Sequence, residues 1–385
     1  MEKVDITIIG AGVIGLALAF ELSKDGRNVL VVERHPKFGQ ETSSRNSEVI
    51  HGGMYYPSDS LKAKTCVEGR ELLYAFCREH AVPHKRTGKL IVAVSPQEVL
   101  DLENLYKQGL ANNVEGLSWL GQAQVKAAEP NIKAEAAICS AATGIIDSHR
   151  FMQELQMRAR QRHVQFAYNT EVTAIAGEGE GFAVTVLDKP DGNFTFFSRV
   201  VINAAGLFSD KISAMAGVAG DEYKLKYCKG DYCRVHNNKG RFISHLVYPV
   251  PRKEHSGCLG VHATLDLSGS LRLGPDAEYV GAIDYNVPAD KCKVFYESVR
   301  SFLPFISLED ITVDSSGMRP KLQGPNEGFR DFIIRDESDK GLCGFINLVG
   351  IESPGLTASL AIALMVKGMV ADFFPGQKGF SLHSS

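Results

Sequence analysis

Six residues near the start of the chain, Gly10-Ala11-Gly12-Val13-Ile14-Gly15, constrain its fold more than any other stretch. They form a G-x-G-x-x-G pattern, which by itself is common and often marks only a glycine turn. Here the flanks supply what a phosphate-binding turn requires. The β-rich run Ile6-Thr7-Ile8-Ile9 precedes it, Val13 to Ser23 carries good helix formers, and Val29-Leu30-Val31-Val32 reads as a second buried strand. In that setting Gly10 makes the sharp turn, Gly12 lets backbone N–H groups approach a diphosphate, and Gly15 lets the helix pack closely on the sheet. The helix start at Val13 and Ile14 adds its partial positive charge. Glu33 closes the second strand about 20 residues further on, where an acid accepts hydrogen bonds from a ribose diol and disfavours a 2′-phosphate. Arg34 beside it is assigned to the same dinucleotide site.

A chain of 385 residues exceeds one ordinary core and is expected to hold two lobes. Its net charge of −3 gives no electrostatic reason to expect nucleic acid as a partner. Cys66, Cys77, Cys139, Cys228, Cys233, Cys258, Cys292 and Cys343 include no C-x-x-C pair, which argues against a metal centre and against a disulfide framework. A reducing compartment follows. The N-terminus lacks the basic and long apolar regions of a signal peptide. The longest apolar candidate, residues 356–374, is broken by Thr357, Ser359, Lys367, Gly368 and Asp372. A cytoplasmic protein is expected, either freely soluble or peripheral on the inner face of a membrane.

Residues 36–60 are rich in Ser, Gly, Pro and polar groups and read as a long functional loop. Helices are expected at 61–80, within 96–128, from an Asp147-Ser148 cap to about 161, at 290–303 and after Pro354. Strands are expected at 84–95, 166–175, 183–187 and 194–203, and residues 225–285 alternate like antiparallel sheet. The fold class is therefore α/β with an α+β second lobe. A Rossmann-type dinucleotide domain (1–83, 141–221 and 316–385) is interleaved with an antiparallel-sheet substrate domain (84–140 and 222–315).

The turn alone does not separate FAD from NAD. In a second stretch, Val200 to Asp210, a buried strand ends in Ala204, Ala205 and Gly206, small enough for the backbone to approach a cofactor from another side. A third runs Gly350-Ile351-Glu352-Ser353-Pro354-Gly355-Leu356-Thr357, with Ser353 as N-cap and Pro354 at the first helical position. Such a helix N-terminus stabilises negative charge on a reduced flavin. The three together point to FAD. Val172 on the expected strand is counted among the cofactor contacts, and so are Thr42, Ser43, Ser44, Asn46 and Ser47, which offer hydroxyl, amide and backbone donors.

With further blocks, these stretches resemble the D-amino-acid-oxidase-like superfamily of FAD enzymes, and within it the L-2-hydroxyglutarate dehydrogenase group. The blocks are 46–57, Lys229-Gly230-Asp231-Tyr232, Tyr248-Pro249-Val250-Pro251, Leu259-Gly260-Val261-His262, 273–277 and Gly317-Met318-Arg319-Pro320-Lys321. Glu48 and Gly52 depart from the pattern, which has Gly and Ser there. The resemblance implies a dehydrogenase that oxidises a small L-2-hydroxy acid, L-2-hydroxyglutarate to 2-oxoglutarate, by hydride transfer to flavin N5. A quinone or another carrier would then take the electrons.

Such a reaction needs a base near neutrality and cations for carboxylate. Taken alone, His51 or His262 would more often be an ordinary core or surface residue. Within the resembling blocks His262 is the preferred base, and His51 is a flavin neighbour or alternative base. Arg319 is the candidate carboxylate clamp, Lys321 lies on the same face if 317–321 is extended, and Lys229 and Tyr248 line the other side. No metal is expected. Rival readings are an amino-acid or amine oxidase, an NAD enzyme, and a flavoprotein scaffold without turnover.

Overall fold

The computed structural model describes residues 2–251 and 260–375, so Cys258 and Leu259 lie outside the described residues. The described chain divides into two compact units, one formed by residues 2–44, 149–225 and 332–375, the other by 45–148 and 226–331.

The first unit is built on an eight-stranded sheet. Strand Lys3–Ile9 lies parallel to Val29–Glu33 on one side and to the second half of Gly192–Asn203 on the other. Gln165–Tyr168 and Leu342–Val349 extend this parallel set at its two edges. The central strands of this set are mostly buried on both faces, as parallel sheets require, while the edge strand Gln165–Tyr168 is only partly covered. Helix Val13–Leu22 is buried along its whole length and packs on the equally apolar helix Gly355–Ala371. The meander Thr170–Glu178, Gly181–Asp188 and Gly192–Asn203 adds the antiparallel part.

The second unit carries a nine-stranded sheet whose long pair is Lys226–Val235 against Ile311–Lys321. Leu271–Leu273, Ala263–Leu265, Leu246–Pro249 and Lys89–Ala93 follow across the sheet. Residues 225–285 are antiparallel among themselves as expected, but Leu246–Pro249 runs parallel to Lys89–Ala93. Its core holds an apolar cluster drawn from both sequence segments, including Ile91, Ile138, Val247, Leu273 and Phe295. Among the described residues no helix is long and apolar enough to cross a membrane, and no cluster of His, Cys, Asp or Glu is placed to hold a metal.

The unit boundaries differ from those expected from sequence. Residues 45–83, 141–148 and 316–331 belong to the second unit, and 222–225 to the first. Hydrogen-bond ladders are the reason. Val49–Ile50 pairs with Gly144–Ile146, which pairs with His84–Lys85, and Ile311–Lys321 is laddered along its length to Lys226–Val235.

One buried carboxylate fixes the approach to strand Leu246–Pro249. Glu129, 2% exposed, accepts from Ser244 N (2.8 Å), Ser244 Oγ (2.6 Å), His245 N (2.7 Å) and His245 Nδ1 (2.6 Å). Burial alone would raise its pKa, but the hydrogen bonds from His245 and Ser244 outweigh it and hold the carboxyl below its ordinary value. A carboxyl depressed in the folded state stabilises above its unfolded pKa, and that stability is lost as pH falls through the folded value. Glu129→Ala should therefore cost about 1–3 kcal/mol in chemical denaturation at pH 7. The deficit should shrink as the pH is taken below about 4.

Candidate active site

In the first unit, the three motifs singled out in the sequence meet at the carboxyl ends of adjacent parallel strands. Gly10 follows Lys3–Ile9, Ala204 follows Gly192–Asn203, and Gly350 follows Leu342–Val349, with Ile9 opposite Asn203 and Asn203 opposite Asn347. Asn203 Nδ2 donates to Asn347 Oδ1 (2.8 Å) and ties two of these ends together. Parallel α/β sheets bind ligands at the carboxyl ends of their strands. Gly10 takes φ +103°, and a Cβ there would lie 2.6 Å from the Ala204 carbonyl oxygen. A Cβ on Gly15 would lie 1.9 Å from Gly10 O, so this turn and helix close only with glycine. Gly12 caps helix Val13–Leu22 without any side-chain cap bond, leaving helix-start amides pointing at the turn.

Glu33 ends its strand with one oxygen accepting from Ala11 N (2.8 Å) and the other from His35 N (2.9 Å). Each oxygen keeps a lone pair for a ribose hydroxyl. Ser43 Oγ accepts from Val13 N (2.9 Å), which brings that loop residue to the phosphate turn. A glycine-only cradle, a helix N-terminus at that turn and an acid at the next strand end fit an adenine dinucleotide. Gly10, Gly12, Val13, Ile14, Gly15 and Glu33 would hold it, with Ala204, Ala205, Gly206 and Gly350 bordering the same strand ends.

The remaining assigned cofactor residues divide. Thr42 and Ser44 share the short turn Thr42–Ser44 with Ser43. Arg34 lies 3.6 Å from the Phe208 ring centroid and donates to Glu41 Oε1 (3.1 Å). Val172 lies beside a register slip in strand Thr170–Glu178, with its side chain in the core. Helix Gly355–Ala371 begins later than expected, with Pro354 rather than Ser353 as its cap; Gly355, Leu356 and Thr357 form its first turn. Asn46 and Ser47 fall in the second unit, where Asn46 Oδ1 accepts from Glu48 N (2.8 Å) and Ser47 Oγ bonds Tyr232 Oη (3.2 Å).

The two departures from the family pattern also find reasons in the second unit. Glu48 takes φ +55°, where glycine is at ease, and its carboxylate accepts from Ser148 N (3.0 Å) and Ser148 Oγ (2.7 Å) at the start of helix Ser148–Gln161. Gly52 leaves little room, since a Cβ would approach Ser140 Oγ to 3.0 Å.

The second unit also gathers the chemistry-bearing side chains. His262 precedes strand Ala263–Leu265, and its Nδ1 bonds the Gly260 carbonyl (2.9 Å). That bond fixes a neutral tautomer with the proton on Nδ1 and leaves Nε2 as the lone-pair nitrogen. Tyr248, on the adjacent strand, stacks on the imidazole at 3.8 Å and 18°. One strand further, Lys89 lies 4.5 Å from the Tyr248 ring centroid and 4.6 Å from that of Tyr55. Arg319 alternates with Lys321 on one face of Ile311–Lys321, as expected for extended chain.

Electrostatics link the cluster. Burial, and then the charges of Lys89 and Arg319, keep His262 at about 3 despite the opposing Gly260 bond. Burial, Lys89, His262 and Arg319 lower His51. Burial takes Lys89 down to about 7. Both imidazoles are therefore neutral proton acceptors at physiological pH.

Lys229 is a correction. It stands opposite Met318, on the other face of the strand pair from Arg319, and its ammonium engages Asn286 O, Asp231 (3.6 Å) and Asp284 (3.8 Å). A two-residue period separates it from the carboxylate clamp. Lys89 and Tyr55 were not among the candidate residues; Lys89 stands inside the apolar run Lys89-Leu90-Ile91-Val92, and Tyr55 lies within block 46–57.

Comparison with known proteins identifies the family and supports the fold. The family model described as FAD dependent oxidoreductase matches residues 5–369. Mitochondrial L-2-hydroxyglutarate dehydrogenase of Arabidopsis thaliana is 38% identical over 94% of this chain and 82% of its own. Glycerol 3-phosphate dehydrogenase of Caloramator mitchellensis is 32% identical over 94% of this chain and 72% of its own. Among solved structures, the FAD-bound L-alpha-glycerophosphate oxidase of Mycoplasma pneumoniae matches with a TM-score of 0.84 at 30% identity, covering 96% of this chain and 95% of that one. Glycine oxidase of Geobacillus kaustophilus (TM-score 0.79, 20% identity, 97% of this chain and 95% of that one) shares the fold.

The glycine cradle gives a direct test. Gly15→Ala should purify without the yellow cofactor and fail to take up added FAD, while the Asn203–Asn347 pairing keeps the sheet folded by circular dichroism. Retention of a full complement of flavin would remove Gly15 from the close-packed turn.

Proposed function

Since the chain belongs to the family of FAD-dependent oxidoreductases, we propose that it oxidises a small L-2-hydroxy acid, with L-2-hydroxyglutarate to 2-oxoglutarate as the best reading. The observation that carries this is the neutral imidazole of His262, fixed by Gly260 and held among the cations Lys89 and Arg319. Such a group takes the proton of a hydroxyl next to a carboxylate that Arg319 holds. The mitochondrial L-2-hydroxyglutarate dehydrogenases of Arabidopsis thaliana and Mus musculus, 38% and 30% identical, support the same substrate.

Arg319 grips the substrate's first carboxylate with two parallel bonds, and Lys321 on the same strand face adds charge. His262 Nε2 accepts the hydroxyl proton, and the stacked Tyr248 keeps the imidazole plane in place. The FAD supplies the two-electron acceptor for the hydrogen leaving C2 as hydride. Arrival of carboxylate offsets the positive field that depresses His262 and so strengthens it as a base. His51 remains the alternative proton acceptor. A quinone or other carrier then takes the electrons. Glycerol 3-phosphate is the second reading, favoured by the Caloramator and Mycoplasma relatives.

Anaerobic mixing of the flavin-loaded protein with 2-hydroxy acids, glycerol 3-phosphate and amino acids tests the assignment. L-2-Hydroxyglutarate should bleach the flavin, and dye reduction should exceed peroxide formation. Bleaching by glycerol 3-phosphate with none by any 2-hydroxy acid would reject it. Arg319→Ala should raise the apparent KM for the hydroxy acid on the order of 100-fold. His262→Ala should slow flavin reduction about 10²–10⁴-fold.

A further inference from the structure

Lys89 is fully buried, and its Nζ has no hydrogen-bond partner among the described residues. Other buried lysines of the same unit are answered: Lys229 by Asp231, Asp284 and Asn286 O, and Lys62 by the Arg330 carbonyl (3.0 Å). Two further buried polar atoms, the hydroxyls Tyr55 Oη and Tyr248 Oη, also have no hydrogen-bond partner among the described residues. The two rings that carry them both lie within 4.6 Å of the ammonium. Cation–π contact recovers only part of what a buried ammonium loses on leaving water. A native protein rarely leaves three such groups together without a use for them.

We propose that Lys89, with the hydroxyls of Tyr55 and Tyr248, forms the subsite for the second carboxylate of a dicarboxylate substrate, an assignment that rests on the 2-hydroxy-acid reading above. One ammonium and two phenol donors make three charge-assisted bonds to a carboxylate, which has the lone pairs to accept them all. Lys89 and Arg319 stand on different strands of the nine-stranded sheet, separated by four others in strand order, and each is assigned one of the two carboxylates. Burial alone has brought Lys89 near neutrality, so an arriving carboxylate is enough to hold its proton. A monocarboxylic hydroxy acid leaves the same donors buried without a partner, and selectivity arises from that cost.

The test measures binding apart from turnover. Glutarate and butyrate, neither of which can be oxidised at a hydroxyl, are titrated against the flavin absorbance of the FAD-loaded wild type, Lys89→Met and Lys89→Arg. Wild type should bind glutarate at least about tenfold more tightly than butyrate. Lys89→Met should weaken glutarate on the order of 100-fold and leave butyrate within about twofold. Lys89→Arg should restore part of the preference. An unchanged flavin content and melting temperature certify the fold; should the Met variant not fold, the Arg variant and Tyr55→Phe carry the comparison.

Equal weakening of both acids, or no loss for glutarate, would overturn the subsite. So would a Lys89-dependent preference for glycerol 3-phosphate over glutarate, which would make the anion a phosphate. If L-2-hydroxyglutarate fails to reduce the wild-type flavin while glutarate still binds through Lys89, the activity reading falls and the subsite stands. Reduction by L-2-hydroxyglutarate with an unaltered preference in Lys89→Met removes the subsite alone.

Discussion

The first unit depends on how closely its backbone can approach itself at the ends of three parallel strands. The turn at Gly10 lies against Ala204 O at a separation no Cβ tolerates, and the helix after it touches that turn through Gly15. Because the strands run in one direction, their loops emerge on one edge, and the glycine turn, the small residues at 204–206 and Gly350 share it. The N-terminus of helix Val13–Leu22 and the Glu33 carboxylate then lie at that edge with opposite charge preferences. A dinucleotide, anionic at its diphosphate and hydrogen-bond donating at its ribose, answers both.

The second unit follows another logic. Its sheet brings Lys89, Tyr248 and His262 from three neighbouring strands, and Arg319 from the long pair. Burial strips Lys89, Tyr248 and His262 of water, and burial, aided by the charges of Lys89 and Arg319, keeps the imidazoles neutral. The buried Lys89 ammonium, without a hydrogen-bond partner among the described residues, costs stability.

Much of this was legible in the sequence because the signals were local. The glycine turn, the acid at Glu33 and the helix after Pro354 each follow from residues within a few positions of one another. The unit boundaries were not, since the assignment of 45–83 and 316–331 depends on ladders to distant strands. Lys229 was misjudged for a related reason: strand alternation turned it away from Arg319, and its acidic partners lie up to 55 positions downstream, at Asp284. Lys89 looked like the start of an ordinary strand, and its isolation among aromatic rings arises only when Tyr55 and Tyr248 arrive from far along the chain. The cap at Ser353 failed by one residue, within the range over which helix starts vary.

The central claim is that the turn from Gly10 to Gly15 carries the diphosphate of FAD. A crystal structure of the protein purified with its cofactor tests it most directly. The account expects the diphosphate oxygens within hydrogen-bond distance of that turn's amides and a ribose hydroxyl on Glu33. A dinucleotide whose phosphates lie away from these residues, or a nicotinamide cofactor in their place, would contradict it.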